Sequence, residues 1–379
     1  MAWHHDQDGR HRIIDVETGN FTEIIVDTPG QNTSFRFGPQ GVLLLRNELA
    51  GVGPGEVPSE LYIANPDGSG VRRLGWSARQ YEFLGWSQSD GQSLTYIRDF
   101  PSLDEQWRIF DAAGYFVADP LAGLSGSLDS SAWSDTHLAF TVPWEVLGVS
   151  HHLLYQYKKF NGQVSALLPL SMGISGLQYS PDSQFLTVLV RTSTQSETVL
   201  SFQMNATHPP THTYTDLIVG VSEARDVQLR DWAPDSSAVA FTYRRASGAP
   251  DLLNISDGLG VGFPIIEVGA NGSTVDEVVW SPDSRYLAFV RDSNVAGMNE
   301  LLVHDIHSGS AYEQALLPGQ LGLHSQLVWA PDSSTLFALF EPENGGDNAV
   351  VAFQASAWDQ GLTIGSLPLV FPAAVRHGD

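Results

Sequence analysis

Short runs in which apolar and polar residues alternate fill most of this chain, and clusters of Gly, Pro, Asp and Ser interrupt them at close intervals. Alternation with a period of two marks half-buried strands, whose successive side chains face opposite sides of a sheet. Segments such as "YLAFVRD" from Tyr286 and "AVAFTYRR" from Ala238 carry the β-branched and aromatic residues that strands favour. No stretch shows the 3.6-residue period of an amphipathic helix. The pattern predicts an all-β chain.

These runs repeat. Aromatic anchors stand at Phe37, Trp86, Trp133, Tyr179, Trp232, Trp280 and Trp329, separated by 46 to 53 residues. The best copies read "QYSPDSQFLTVLV" from Gln178, "DWAPDSSAVAFTY" from Asp231, "VWSPDSRYLAF" from Val279 and "VWAPDSSTLFALF" from Val328. Looser copies begin at Arg36, Gly85 and Ala132. In each, a strand ends in the aromatic, a tight turn follows and a second strand begins. A second strand pair comes next, as in "ELLVHDIHSGSAYEQALL" from Glu300. Four strands per copy at this period predict β-propeller blades. The Pro-Asp pair is turn chemistry: proline presets the second position of a type I turn, and the flanking Ser and Asp bond the exposed backbone. Catalysis would need such a pair once, whereas the chain has it at regular intervals.

These motifs resemble the TolB-type propeller repeat, whose units join Trp-Ser-Pro-Asp-Gly to a "LAF" strand and then to a strand pair like "LYIANPDGSGVRRL", here Leu61 to Leu74. The resemblance runs from about residue 30 to 370. It implies a propeller, and it implies an extracytoplasmic setting, periplasmic or secreted, since the family includes periplasmic docking modules and propellers attached to serine peptidases. Ser replaces the turn glycine in the four best copies, the Trp86 copy is one residue longer, and the Trp133 copy is about two shorter. The expected architecture is a single β-propeller domain over 1–379: seven four-stranded blades over 31–370, a closing N-terminal hairpin over 1–30 and a tail over 371–379. The hairpin is expected in "HRIIDVETGNFTEIIVD", turning at Glu17 to Asn20. An incomplete eight-bladed propeller is the alternative.

Composition narrows the function. Hydrophobic residues make up 42% of 379, enough for a sizeable core. Forty-three acidic residues against 19 basic ones give a net charge of −24, which repels phosphate backbones and anionic membranes. Nucleic acid is therefore excluded as a partner, and membrane insertion is not expected, because no apolar run approaches the roughly 18 residues of a span. The start, "MAWHHDQDGRHRII", lacks the apolar segment of an export signal. Without cysteine there is no disulfide, thiolate metal site or thiol nucleophile.

A residue shared by all copies is structural, so chemistry belongs where a copy breaks the pattern. Gly-x-Ser-x-Gly with a strand-to-helix turn is absent. "HPPTH" offers His208 and His212 as a weak metal pair, because two prolines forbid the helix that would face both histidines one way. In "HDIH", His304 and His307 fall on opposite faces of a strand. "DQDG" at Asp6 and "NPDG" at Asn65 are turns, lacking the distal glutamate of a calcium loop. The innermost strands carry polar breaks at Arg36, Arg230, Asp231 and Glu277, the candidate ligand-binding residues of a central channel, although paired charges there serve structure equally well. No catalytic residue and no cofactor is assigned. The expected function is a non-enzymatic, monomeric binding or scaffold propeller presenting rim loops to a protein, peptide or glycan. The alternatives are a propeller-type polysaccharide lyase or glycosidase with its site at the channel mouth, and a propeller segment of a larger polypeptide.

Overall fold

A computed structural model of the chain describes residues 2–5, 10–14, 21–25, 32–37, 43–48, 59–65, 69–77, 80–87, 93–98, 105–111, 113, 115–120, 130–146, 149–170, 173–193, 196–204, 214–218, 224–261, 266–267, 274–292, 298–308, 310–318, 326–340 and 349–354. Every regular element among them is a strand, β1 to β30 in chain order. Six sheets have four strands: β4–β7 (32–77), β8–β11 (80–118), β12–β15 (130–170), β16–β19 (174–216), β20–β23 (225–267) and β24–β27 (275–318). Two have three: β1–β3 (2–25) and β28–β30 (326–354). Within each, chain neighbours are sheet neighbours and pair antiparallel, as a meander joined by short turns must.

The seven anchors each occupy the last position of the first strand of a sheet, at Phe37, Trp86, Trp133, Tyr179, Trp232, Trp280 and Trp329. At the N-terminus the expected two-stranded hairpin is there as β2 (Arg10–Ile14) and β3 (Phe21–Ile25), and a third strand, β1 (Ala2–His5), adds to it. Residues 6–9 and the tail beyond 354 lie outside the described residues.

The chain forms two compact units, 1–170 and 171–379. In both, the cores lie between successive sheets. In the first, Ile109 of one sheet packs with Leu138, Phe140, Val142 and Tyr157 of the next. In the second, Trp280 packs against Ala233, Ala238, Ala240, Leu253 and Ile255 of the preceding sheet and Leu287 and Phe289 of its own. The indole N–H reaches the preceding sheet directly, donating to the Asp231 carbonyl at 3.1 Å. Burying each such large apolar side chain contributes about 1.5–3 kcal/mol.

The turns after the anchors explain why serine stands where the repeat expects glycine. Ser183, Ser236, Ser284 and Ser333 all have φ near 60°, the left-handed region that glycine enters most readily. Each closes a type I turn by donating its N–H three residues back, as Ser284 does to Ser281 O at 2.9 Å. A side chain there is kept because it has a partner. Ser236 Oγ accepts the Asp182 N–H at 2.8 Å, Ser284 Oγ that of Asp235 at 2.9 Å, and Ser333 Oγ that of Asp283 at 2.9 Å. Every donor lies one copy upstream, so the serines tie successive turns together. In the shorter Trp133 copy, Ser134 N bonds His137 O directly across a two-residue loop.

Candidate functional site

Three of the four polar breaks on the innermost strands bond a neighbouring sheet. β20 (Arg225–Trp232) carries Arg230 and Asp231. Arg230 donates from Nη2 to the Val275 carbonyl at 2.5 Å, reaching the first strand of the next sheet. Asp231 accepts from Gln178 Nε2 at 2.6 Å, reaching the preceding sheet, and from its neighbour Trp232 N at 2.8 Å. Burial of its carboxylate raises the Asp231 pKa, and those two hydrogen bonds only moderate the rise. Glu277, on β24 (Val275–Trp280), accepts the Leu327 N–H at 2.8 Å from β28 (Gln326–Trp329). Its Oε2 is buried with no hydrogen-bond partner among the described residues, and burial raises its pKa above the ordinary range. Arg36 pairs with Leu44 in the backbone register, and its side chain lies outside the described residues. His208 and His212 lie outside them too.

A second recurrent device links the same sheets. Glu197 faces Arg191 at 3.5 Å and accepts the Val227 N–H of the next sheet at 2.9 Å. Asp251 pairs with Arg244 at 2.6 Å and accepts the Val275 N–H at 2.9 Å. Arg291 and Glu300 repeat the pair at 2.5 Å. An arginine closing the second strand and an acid opening the third is legible in the sequence, but loop length varies their spacing. "HDIH" does not converge: His304 is buried, with its pKa lowered by desolvation, whereas His307 is exposed in the following turn. Among the described residues, no three or more His, Asp or Glu gather as a metal site would require.

A different place in the molecule brings charged and aromatic side chains together at an opening to solvent. In the first unit, a cavity of about 580 Å³ opens to solvent between β7 (Arg72–Ser77) and the pair β10 (Glu105–Phe110) and β11 (Phe116–Ala118). Arg72, Arg73, Leu74, Arg108, Phe110, Phe116 and Asp119 line it. The Arg72 guanidinium lies 3.9 Å over the Tyr115 ring and donates to the Ala113 carbonyl at 3.4 Å. Asp111 fixes that loop by accepting from Ala113 N at 3.0 Å and Tyr115 N at 2.8 Å. Arg73 is oriented by Glu60, a carboxylate only 1% exposed, at 3.4 Å, and Tyr62 donates its hydroxyl to the other oxygen at 2.7 Å. Phe116 meets Phe110 edge-on yet remains 58% exposed, as does Tyr115. Three of the chain's 17 arginines thus share one opening with two exposed aromatic rings. The sequence reading passed over them because "GVRRL" fell within the best-matching repeat phrase.

No family model and no curated protein matches the sequence. Among solved structures, the chain superposes on a eukaryotic initiation factor with a TM-score of 0.62 at 14% identity, covering 92% of this chain and 81% of that one. The fold is a β-propeller. Each four-stranded meander is therefore a blade, and Arg230, Asp231 and Glu277 each bond a neighbouring blade. A prolyl endopeptidase matches at 0.56 and 14% identity, covering 86% of this chain. A dipeptidyl peptidase 4 from Porphyromonas gingivalis matches at 0.56 and 10%, covering 95%. The chain spans 47% and 58% of the lengths of those two peptidases. Propellers of this form thus occur both within enzymes and outside them, and likeness at these identities speaks for the fold alone.

Proposed function

We propose that this chain is a TolB-type binding propeller, a single monomeric domain outside the cytoplasm whose rim holds a protein, peptide or glycan partner. The observation that carries this reading is the cavity flanked by β7 and β11, where Arg72, Arg73 and Arg108 share a lining with the exposed Phe116 and Arg72 lies over the exposed Tyr115 ring. Exposed aromatics beside arginines are the residue types that dominate binding energy at interfaces. The innermost strands support the same reading from the other side, since Arg230, Asp231 and Glu277 each hydrogen-bond a neighbouring blade.

A thermal-shift screen of the purified chain against peptides and oligosaccharides tests this. A ligand at a hundred times its dissociation constant adds about 2.7 kcal/mol of stability, a readily measured shift. A shift that disappears in Arg72→Ala and Arg108→Ala is the expected result. Turnover of a peptide or polysaccharide by the wild-type chain would overturn the reading in favour of an enzyme.

A further inference from the structure

We propose that the ligand of this cavity is an acidic, extended polypeptide segment of a partner protein, which pairs along the outer edge of β7 and lays its carboxylates on Arg72, Arg73 and Arg108. The inference rests on the binding-propeller reading and names its ligand class.

Charge comes first. The chain carries −24 overall, whereas at this opening three arginines stand against two carboxylates, Asp119 in the lining and Glu60 on Arg73, and the remaining positive excess favours an anion over a cation. Guanidinium groups bind carboxylates through paired N–H donors, and the arginine's planar fork is set in advance by its neighbours. Two of the three are set in this way: Arg72 by the Tyr115 ring and the Ala113 carbonyl, Arg73 by Glu60.

Backbone comes second, and it selects a polypeptide over an acidic sugar. β7 is the terminal strand of its sheet, ordered β4-β5-β6-β7, and β11 is terminal in the sheet ordered β11-β10-β9-β8. Terminal strands present rows of N–H and C=O groups that only another main chain complements in full. β7 is six residues long, enough for an added strand, whereas β11 has three. Charges on an edge commonly serve just to keep other strands away. That explanation covers Arg72 and Arg73 but not Arg108, which belongs to the interior strand β10 and still lines the cavity.

Apolar exposure comes third. Val71, Tyr115, Phe116 and Val117 are four of nine large hydrophobic side chains exposed among the described residues, and all four fall on these two edges or beside them. An acidic strand whose alternate residues are apolar would meet both chemistries at once.

Fluorescence anisotropy with three labelled ten-residue peptides tests the proposal on the full chain. One alternates Glu with Val around a central Trp, one has Lys in place of Glu, and one is the acidic peptide N-methylated at alternate residues. The acidic peptide should saturate, and its affinity should fall at least tenfold in the Arg72→Ala/Arg108→Ala double variant while the melting temperature stays unchanged. The Lys peptide should not bind, and N-methylation should weaken binding at least tenfold by removing backbone donors. Equal binding of the N-methylated peptide, or indifference to the arginine variants, would overturn the proposal. Binding of trigalacturonate without the peptide would overturn the ligand class yet leave a binding propeller standing. If neither binds and the thermal-shift screen is flat, both readings fall. Self-association abolished by the arginine variants would make the occupant a second copy and refute the partner.

Discussion

The innermost strands of residues 171–379 and the outer edges within 1–170 use the same side chains to opposite ends. Arg230, Asp231 and Glu277 sit where a propeller's ligand would be sought, and each bonds a neighbouring blade. Arg72, Arg73 and Arg108 sit where a repeat protein shows its plainest surface, and they line a cavity open to solvent beside an exposed ring. What separates the two groups is the partner. Arg230 and Glu277 answer part-buried backbone groups of the next blade, which burial would otherwise leave bare, and are thereby committed to structure. A side chain held by a ring face and a loop carbonyl is placed but still presents its charge.

Five changes would break or sharpen that contrast. Trp280→Ala should have the largest effect, about 3–5 kcal/mol lost in urea unfolding, because it empties the wedge between two blades. An effect below 1 kcal/mol would mean the anchors are not what joins blades. Next come two substitutions at Ser284. Ser284→Ala keeps the φ of 61° and removes the acceptor of the Asp235 N–H, for a loss of about 1 kcal/mol. Ser284→Gly also removes the acceptor but relieves the backbone, so its stability should lie within about 0.5 kcal/mol of wild type. Equal losses for the two would show that backbone strain plays no part.

Glu277→Gln addresses pH. Burial raises the folded-state pKa of Glu277 above its ordinary 4.5, so the folded chain holds that proton more tightly than the unfolded one. Its stabilising contribution is then full below about 4.5 and is lost as pH rises through the folded value. The variant cannot titrate there, so urea midpoints at pH 4, 5.5 and 7 should show wild type losing ground to it as pH rises. A gap that widens in the opposite direction would contradict the burial of Glu277. Arg72→Ala should have the smallest effect on stability, within about 0.5 kcal/mol, as for surface positions generally. A larger loss would move Arg72 into the structural group.

Most of the architecture could be read from the chain because every blade needs the same wedge in the same place. Seven anchors at near-constant spacing therefore identified the first strand of seven sheets, down to its last residue. The short loop at Ser134 was visible for the same reason, as two missing residues. The connectors were harder. Glu277 answers the backbone of Leu327, 50 residues on, and a backbone N–H looks alike at every position in a sequence. β1 was missed because four residues carry too little alternation to distinguish a strand from a tail. The arginine cavity was hidden by a familiar phrase: "GVRRL" fitted the repeat, and its partner Arg108 stands on a different blade.

The serine ladder has a consequence for how such a chain changes length over evolutionary time. Each turn gives its donor to the copy ahead and its acceptor to the copy behind, so the coupling reaches only the nearest neighbour. Between Ser183 and Ser333 the copies are interchangeable parts with identical fittings. Duplicating one, or excising one whole, leaves every fitting matched at the new junction. The serine contacts by themselves therefore impose no particular number of copies on this stretch.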